Sequence, residues 1–135
     1  MYRLVLAIIL VTFALFGQAQ EITNLIQEQP VDDFENIKVQ KLGTTPQGTS
    51  FIIWVKENVK PHLHKHHTEV IYVVEGSAEM VIDGLARPIQ KGDFIQIKPN
   101  TVHEVTRVTS TEPLKVLSVQ APEFFGDDRI FIDPQ

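Results

Sequence analysis

The sequence predicts an all-β protein, a small barrel or sandwich of short strands. Runs of β-branched and aromatic residues recur from Ile37 nearly to the C-terminus. Gly, Pro, Asn and Asp punctuate those runs at close intervals, and no long segment of that region has helical periodicity. With 135 residues the chain suffices for one domain and is too short for two.

Residues 1–19 read as a secretory signal peptide. Arg3 supplies a positive start, residues 4–16 (LVLAIILVTFALF) carry no charge, and Gly17 and Ala19 place small residues where a signal peptidase cuts. A membrane anchor is the alternative, but a helix that crosses the hydrocarbon core needs ~20 apolar residues. The chain is therefore expected to be exported, periplasmic or secreted, to begin at Gln20 after cleavage, and to have no membrane partner thereafter. Residues 20–36 follow as a polar, acidic N-terminal arm with scattered apolar positions (Ile22, Leu25, Ile26, Val31), either a short helix or an extended segment. Residues 37–135 are the barrel domain.

Within that domain, residues 37–42 form a first strand, closed by the turn-rich 43–48, and residues 49–55 (TSFIIWV) a second. Residues 70–74 (VIYVV) end at Glu75-Gly76, and 78–82 lead into Asp83-Gly84, a pair that tolerates the positive φ of a type I′ hairpin turn. Residues 85–89 return, with Pro88 suited only to an edge or a bulge. Residues 93–97, a turn at Pro99-Asn100, and strands at 102–108 and 114–119 complete the main series. The tail, 121–135, reads as a turn and a short last strand around Ile130-Phe131-Ile132. Phe51, Ile53, Trp54, Ile71, Val73, Ile95, Ile97 and Leu117 are the expected core.

Composition narrows the function classes. No cysteine is present, so an exported domain here has no disulfide framework. The formal net charge of −5 is spread with mixed signs, which gives no reason to expect nucleic acid or an anionic membrane surface as partner.

The chemistry concentrates in one stretch. Four of the five histidines lie at positions 62, 64, 66 and 67, with Glu69 just beyond, and the fifth is His103. On an extended chain a His-x-His pair aims both rings at one face, and imidazole with carboxylate suits a divalent transition metal. Glu69 stands an odd number of residues from His64, so it joins the pair only if the chain bends between Lys65 and Thr68. His103 shares a face with Val105, while Glu104 and Thr106 point the other way. His66 and His67 are expected at the pocket rim, solvated or orienting the ligands. A shifted pair, His64-x-His66, would leave Glu69 inside one tight turn. Tyr72 and Arg87 are read as a half-buried aromatic and a solvated charge.

His62-x-His64-x4-Glu69-x6-Gly76 resembles the first cupin motif, G-x5-H-x-H-x3-4-E-x6-G. The segment from Gly92 to His103 resembles the second, G-x5-P-x-G-x2-H-x3-N, and fifteen residues separate Gly76 from Gly92 as in small microbial cupins. Lys56 stands at the leading glycine, Lys98 at the proline, Asn100 at the inner glycine and Arg107 at the final asparagine. Asn tolerates positive φ, so the turn survives. The resemblance covers about residues 60–120 and implies a double-stranded β-helix (jelly-roll) barrel. It implies a metal held by His62, His64, Glu69 and His103, with Fe²⁺, Mn²⁺, Zn²⁺ or Ni²⁺ as the candidate ions, and Glu69 also able to act catalytically.

Two readings of function follow. One is a metal-dependent enzyme, a dioxygenase or isomerase, acting on a small organic molecule. The other is a non-catalytic module that binds a sugar or metabolite around a structural metal. A homodimer is expected by the same resemblance.

Overall fold

The structure, a computed structural model, describes residues 22–133. Among these residues it has ten strands and no helix. They are β1 (Ile37–Thr45), β2 (Gly48–Val55), β3 (Val59–His64), β4 (Thr68–Glu75) and β5 (Ser77–Ile82), then β6 (Leu85–Gln90), β7 (Phe94–Ile97), β8 (His103–Val108), β9 (Leu114–Ala121) and β10 (Arg129–Phe131). Two antiparallel five-stranded sheets face each other, ordered β1-β2-β9-β4-β7 and β10-β3-β8-β5-β6.

Inner-facing positions alternate along each strand. Val55, Ile71, Val73, Ala78, Met80, Ile89, Ile97, Val105, Leu114 and Val116 form the buried core between the sheets. Of the expected core, Ile53 and Ile95 are only partly buried against this cluster, and Leu117 alternates to the other face of β9 with Lys115 and is only partly buried. Ile52 and Trp54 face the other side of β2 and are buried as well, because β2 is covered on both faces. Lys115, opposite Trp54 on β9, reaches from that outer face to the backbone carbonyl of Ile26 in the arm (3.2 Å) and to Glu75 (3.0 Å). Lys56 ties the arm's end to Asp33 and covers the Phe34 ring. Among its described residues, 22–36, the arm is neither helix nor strand. It makes one turn at residues 25–27 and lies across the outer face.

Several turns are as the sequence dictates. Asp83 and Gly84 have φ of 47° and 77°, and Asn100 has 62°, the left-handed values their residue types permit. Pro88 lies on β6, an edge strand. Two boundaries differ. β1 runs to Thr45 with a bulge between Lys41 and Gly43, so the reversal narrows to Pro46-Gln47. Residues 59–64 (VKPHLH) form a full strand without an apolar run, because pairing with β8 and β10 supplies what propensity lacks.

Candidate metal centre

β3 carries His62 and His64 to the inner face, where both are buried. The chain bends at Lys65 and His66 and re-enters the opposite sheet as β4, with Glu69 its second residue. This is the bend that the spacing requires. β8 begins at His103, which pairs with His62 across the sheet. The four residues offer ligand atoms that all lie within 4.8 Å of one another.

Backbone carbonyls select which nitrogen is free in two of the three rings. His62 Nδ1 lies 2.8 Å from the Lys60 carbonyl, and His103 Nδ1 lies 3.0 Å from that of Thr101. A carbonyl only accepts, so each Nδ1 carries the proton and each Nε2 keeps a lone pair. Nε2 of His103 and of His64 stand 3.2 Å and 3.4 Å from Glu69 Oε2. His64 Nε2 is buried without a hydrogen-bond partner. Imidazole lone pairs thus face a carboxylate at close range in a buried site, an arrangement that calls for a cation at its centre.

A proton fills that role poorly at His62. Burial and the neighbouring His103 ring hold its imidazole down to about 4. Burial alone would raise the Glu69 carboxyl, but the rings of His103 and His64 and the Ser118 hydroxyl overcome it and keep the group ionised. Ser118 Oγ donates to Glu69 Oε1 and leaves Oε2 aimed at the histidines. Three nitrogens and one oxygen in this arrangement fit a divalent transition metal.

The sequence reading missed Asp128. This buried carboxylate accepts from the backbone N–H groups of His66 and His67 and from His67 Nδ1, and its Oδ2 is 3.9 Å from His64 Nδ1. Burial would raise the Asp128 carboxyl, and the hydrogen bonds from His67 and the two amides hold it low. The same pair corrects the expectation for His67. It is 5% exposed rather than a solvated rim residue, and its Nε2 faces the Glu123 carbonyl at 3.0 Å. Burial pulls His67 down, but that carbonyl and Asp128 overcome it and raise it. His66 is exposed on the bend, as expected of a rim residue.

The centre sits in a cavity of about 80 Å³. His62, Glu69 and His103 line it together with apolar Ile53, Val55, Ile71, Met80, Leu114 and Val116. Ile37 and Val39 of β1, Glu104 of β8 and Arg129 of β10 also line it. Tyr72 is 42% exposed and Arg87 is exposed on β6; neither lines the cavity.

Residues 50–120 match the Cupin_2 family model, a cupin domain. An uncharacterized protein of Aquifex aeolicus is 26% identical over 116 residues, covering 86% of this chain and 93% of that protein. Quercetin 2,3-dioxygenase of Bacillus subtilis is 32% identical over 69 residues, or 51% of this chain, and the chain spans 20% of that enzyme. Among solved structures, an uncharacterized conserved protein with a double-stranded β-helix domain from Klebsiella pneumoniae superposes with a TM-score of 0.71. It is 19% identical and covers 86% of this chain and 100% of its own.

Proposed function

This chain belongs to the Cupin_2 family, and on that premise we propose that it is a metal-dependent enzyme acting on a small organic molecule, with dioxygenase-like or isomerase-like chemistry. The observation that carries the reading is the convergence of three imidazoles and one carboxylate, of which His62, Glu69 and His103 line a largely apolar cavity. His62, His64, Glu69 and His103 would hold Fe²⁺, Mn²⁺, Zn²⁺ or Ni²⁺. When bound, such an ion supplies Lewis acidity and open positions for oxygen ligands. The likeness to a quercetin dioxygenase supports the oxygenase form.

The chain's own residues supply the rest. Apolar walls exclude water and strengthen the electrostatics within. The carbonyls of Lys60 and Thr101 orient the rings of His62 and His103, and Asp128 holds the bend between His64 and Glu69 through the His66 and His67 amides. Glu69 is proposed as a proton acceptor as well as a ligand, with Oε1 tied to Ser118 and Oε2 facing the cavity. Because its pKa is held low, it accepts only from a donor acidified within the site.

Export after cleavage behind Ala19 belongs to the proposal and rests on residues 1–19, outside the described structure. Homodimerisation is proposed on the open sheet edges β1 and β7 and the exposed Phe94 beside Tyr72. Oxygen uptake with catechol- and flavonol-type compounds tests the enzyme reading. Metal-loaded protein is expected to consume oxygen and metal-stripped protein is not. Ligand binding without turnover of any compound in a broad oxygenase and isomerase panel would instead support the non-catalytic metabolite-binding module.

A further inference from the structure

Strand β10 lies beyond residues 50–120 and places two side chains over the metal centre. In its antiparallel register Arg129 pairs with His64 and Phe131 with His62, so all four share the inner face. The Phe131 ring centroid is 6.0 Å from that of His62. Arg129 lines the same cavity as His62, Glu69 and His103.

The guanidinium has no ion pair among the described residues. Its neighbour Asp128 is turned to His66 and His67, and Glu104, the other carboxylate on the rim, is beyond ion-pair distance. An unpaired, exposed positive charge therefore stands at a cavity whose remaining walls, apart from the metal-centre residues and Glu104, are apolar. Its planar fork of N–H donors matches a carboxylate in two parallel hydrogen bonds.

We propose that Arg129 is a specificity-determining residue that receives the carboxylate of a substrate whose remaining body is apolar. This names a substrate class for the proposed enzyme and rests on that reading. The apolar body packs against Ile37, Val39 and Ile53, which line the cavity with Arg129, while the carboxylate meets the guanidinium. Arg129 is not among the metal-ligand candidates, so its selectivity is separable from metal content.

Benzoate and benzamide, alike in shape and different in charge, are the probes. Each is titrated calorimetrically into the full chain, metal-loaded and metal-stripped. The wild type is expected to favour benzoate by about tenfold or more in both forms, the value of one good charge-assisted contact. In the metal-stripped form, where no ion can bind the carboxylate, Arg129→Gln is expected to abolish that preference while benzamide binding stays unchanged, and Arg129→Lys to keep part of it. No preference in the stripped wild type, or a preference retained in stripped Arg129→Gln, would overturn the inference. If the wild type takes up no metal, the metal-enzyme reading fails, while an Arg129-dependent preference in the stripped form still supports an anion site.

Discussion

At the level of single residues, the site is a set of matched nitrogens and oxygens. Lys60 and Thr101 carbonyls fix two rings, and Asp128 faces Nδ1 of the third. Asp128 accepts from the His66 and His67 amides and from His67 Nδ1, and so holds the bend between the His64 and Glu69 ligands. Asp128→Asn is expected to weaken metal binding by about tenfold in a chelator competition by loosening that bend, and unchanged affinity would show that the ligands hold their places without it. Acid sensitivity is a second consequence. His62 titrates at about 4 in the fold against 6.5 ordinarily, so between those values the unfolded chain binds a proton that the folded chain refuses. Stability of the metal-free protein therefore falls as pH falls through that window, by on the order of 3 kcal/mol at most from this residue. Glu69, held low, adds a loss of the same sign below about 4.5, whereas the raised His67 loses its contribution as pH rises. Thermal unfolding from pH 6.5 to 4 should show the decline, and His62→Gln should make it shallower. His62, His64 and Glu69 were legible in the sequence because strand parity and one required bend relate them. Asp128 was not, since it lies 61 residues from His67 and no periodicity links them.

Among the elements, the turns carry the architecture. Gly76 has φ of +83°, and a Cβ there would stand 3.0 Å from the Pro113 carbonyl and 3.0 Å from Leu114 Cα, both backbone atoms. Gly84 has a similar φ of +77° but open space around it. In urea unfolding, Gly84→Ala is expected to cost about 1 kcal/mol for its conformation, and Gly76→Ala at least ~2 kcal/mol because the β8–β9 connection must also move. Equal losses would contradict the close approach. Hairpin turns and most strands were legible because Asp-Gly, Pro-Asn and alternating β-branched runs act locally. β3 was legible only through its His-x-His parity and not through propensity, because Lys, Pro and two histidines in six residues hide a segment whose order comes from its neighbours.

For the molecule as a whole, two sheets close around one centre and the arm seals one outer face. That docking could not be read from the sequence, because its anchor is a backbone carbonyl, that of Ile26, meeting the buried Lys115. Trp54, the only tryptophan, is 2% exposed on the same face. Deleting residues 20–36 is expected to shift its fluorescence to the red, and unchanged emission would show that the arm does not cover it. The central claim is the metal centre itself. Metal analysis of purified wild-type protein is predicted to give about one divalent transition metal per chain, and the folded His62→Ala/His103→Ala variant close to none. Full metal content in that double variant would contradict the assignment.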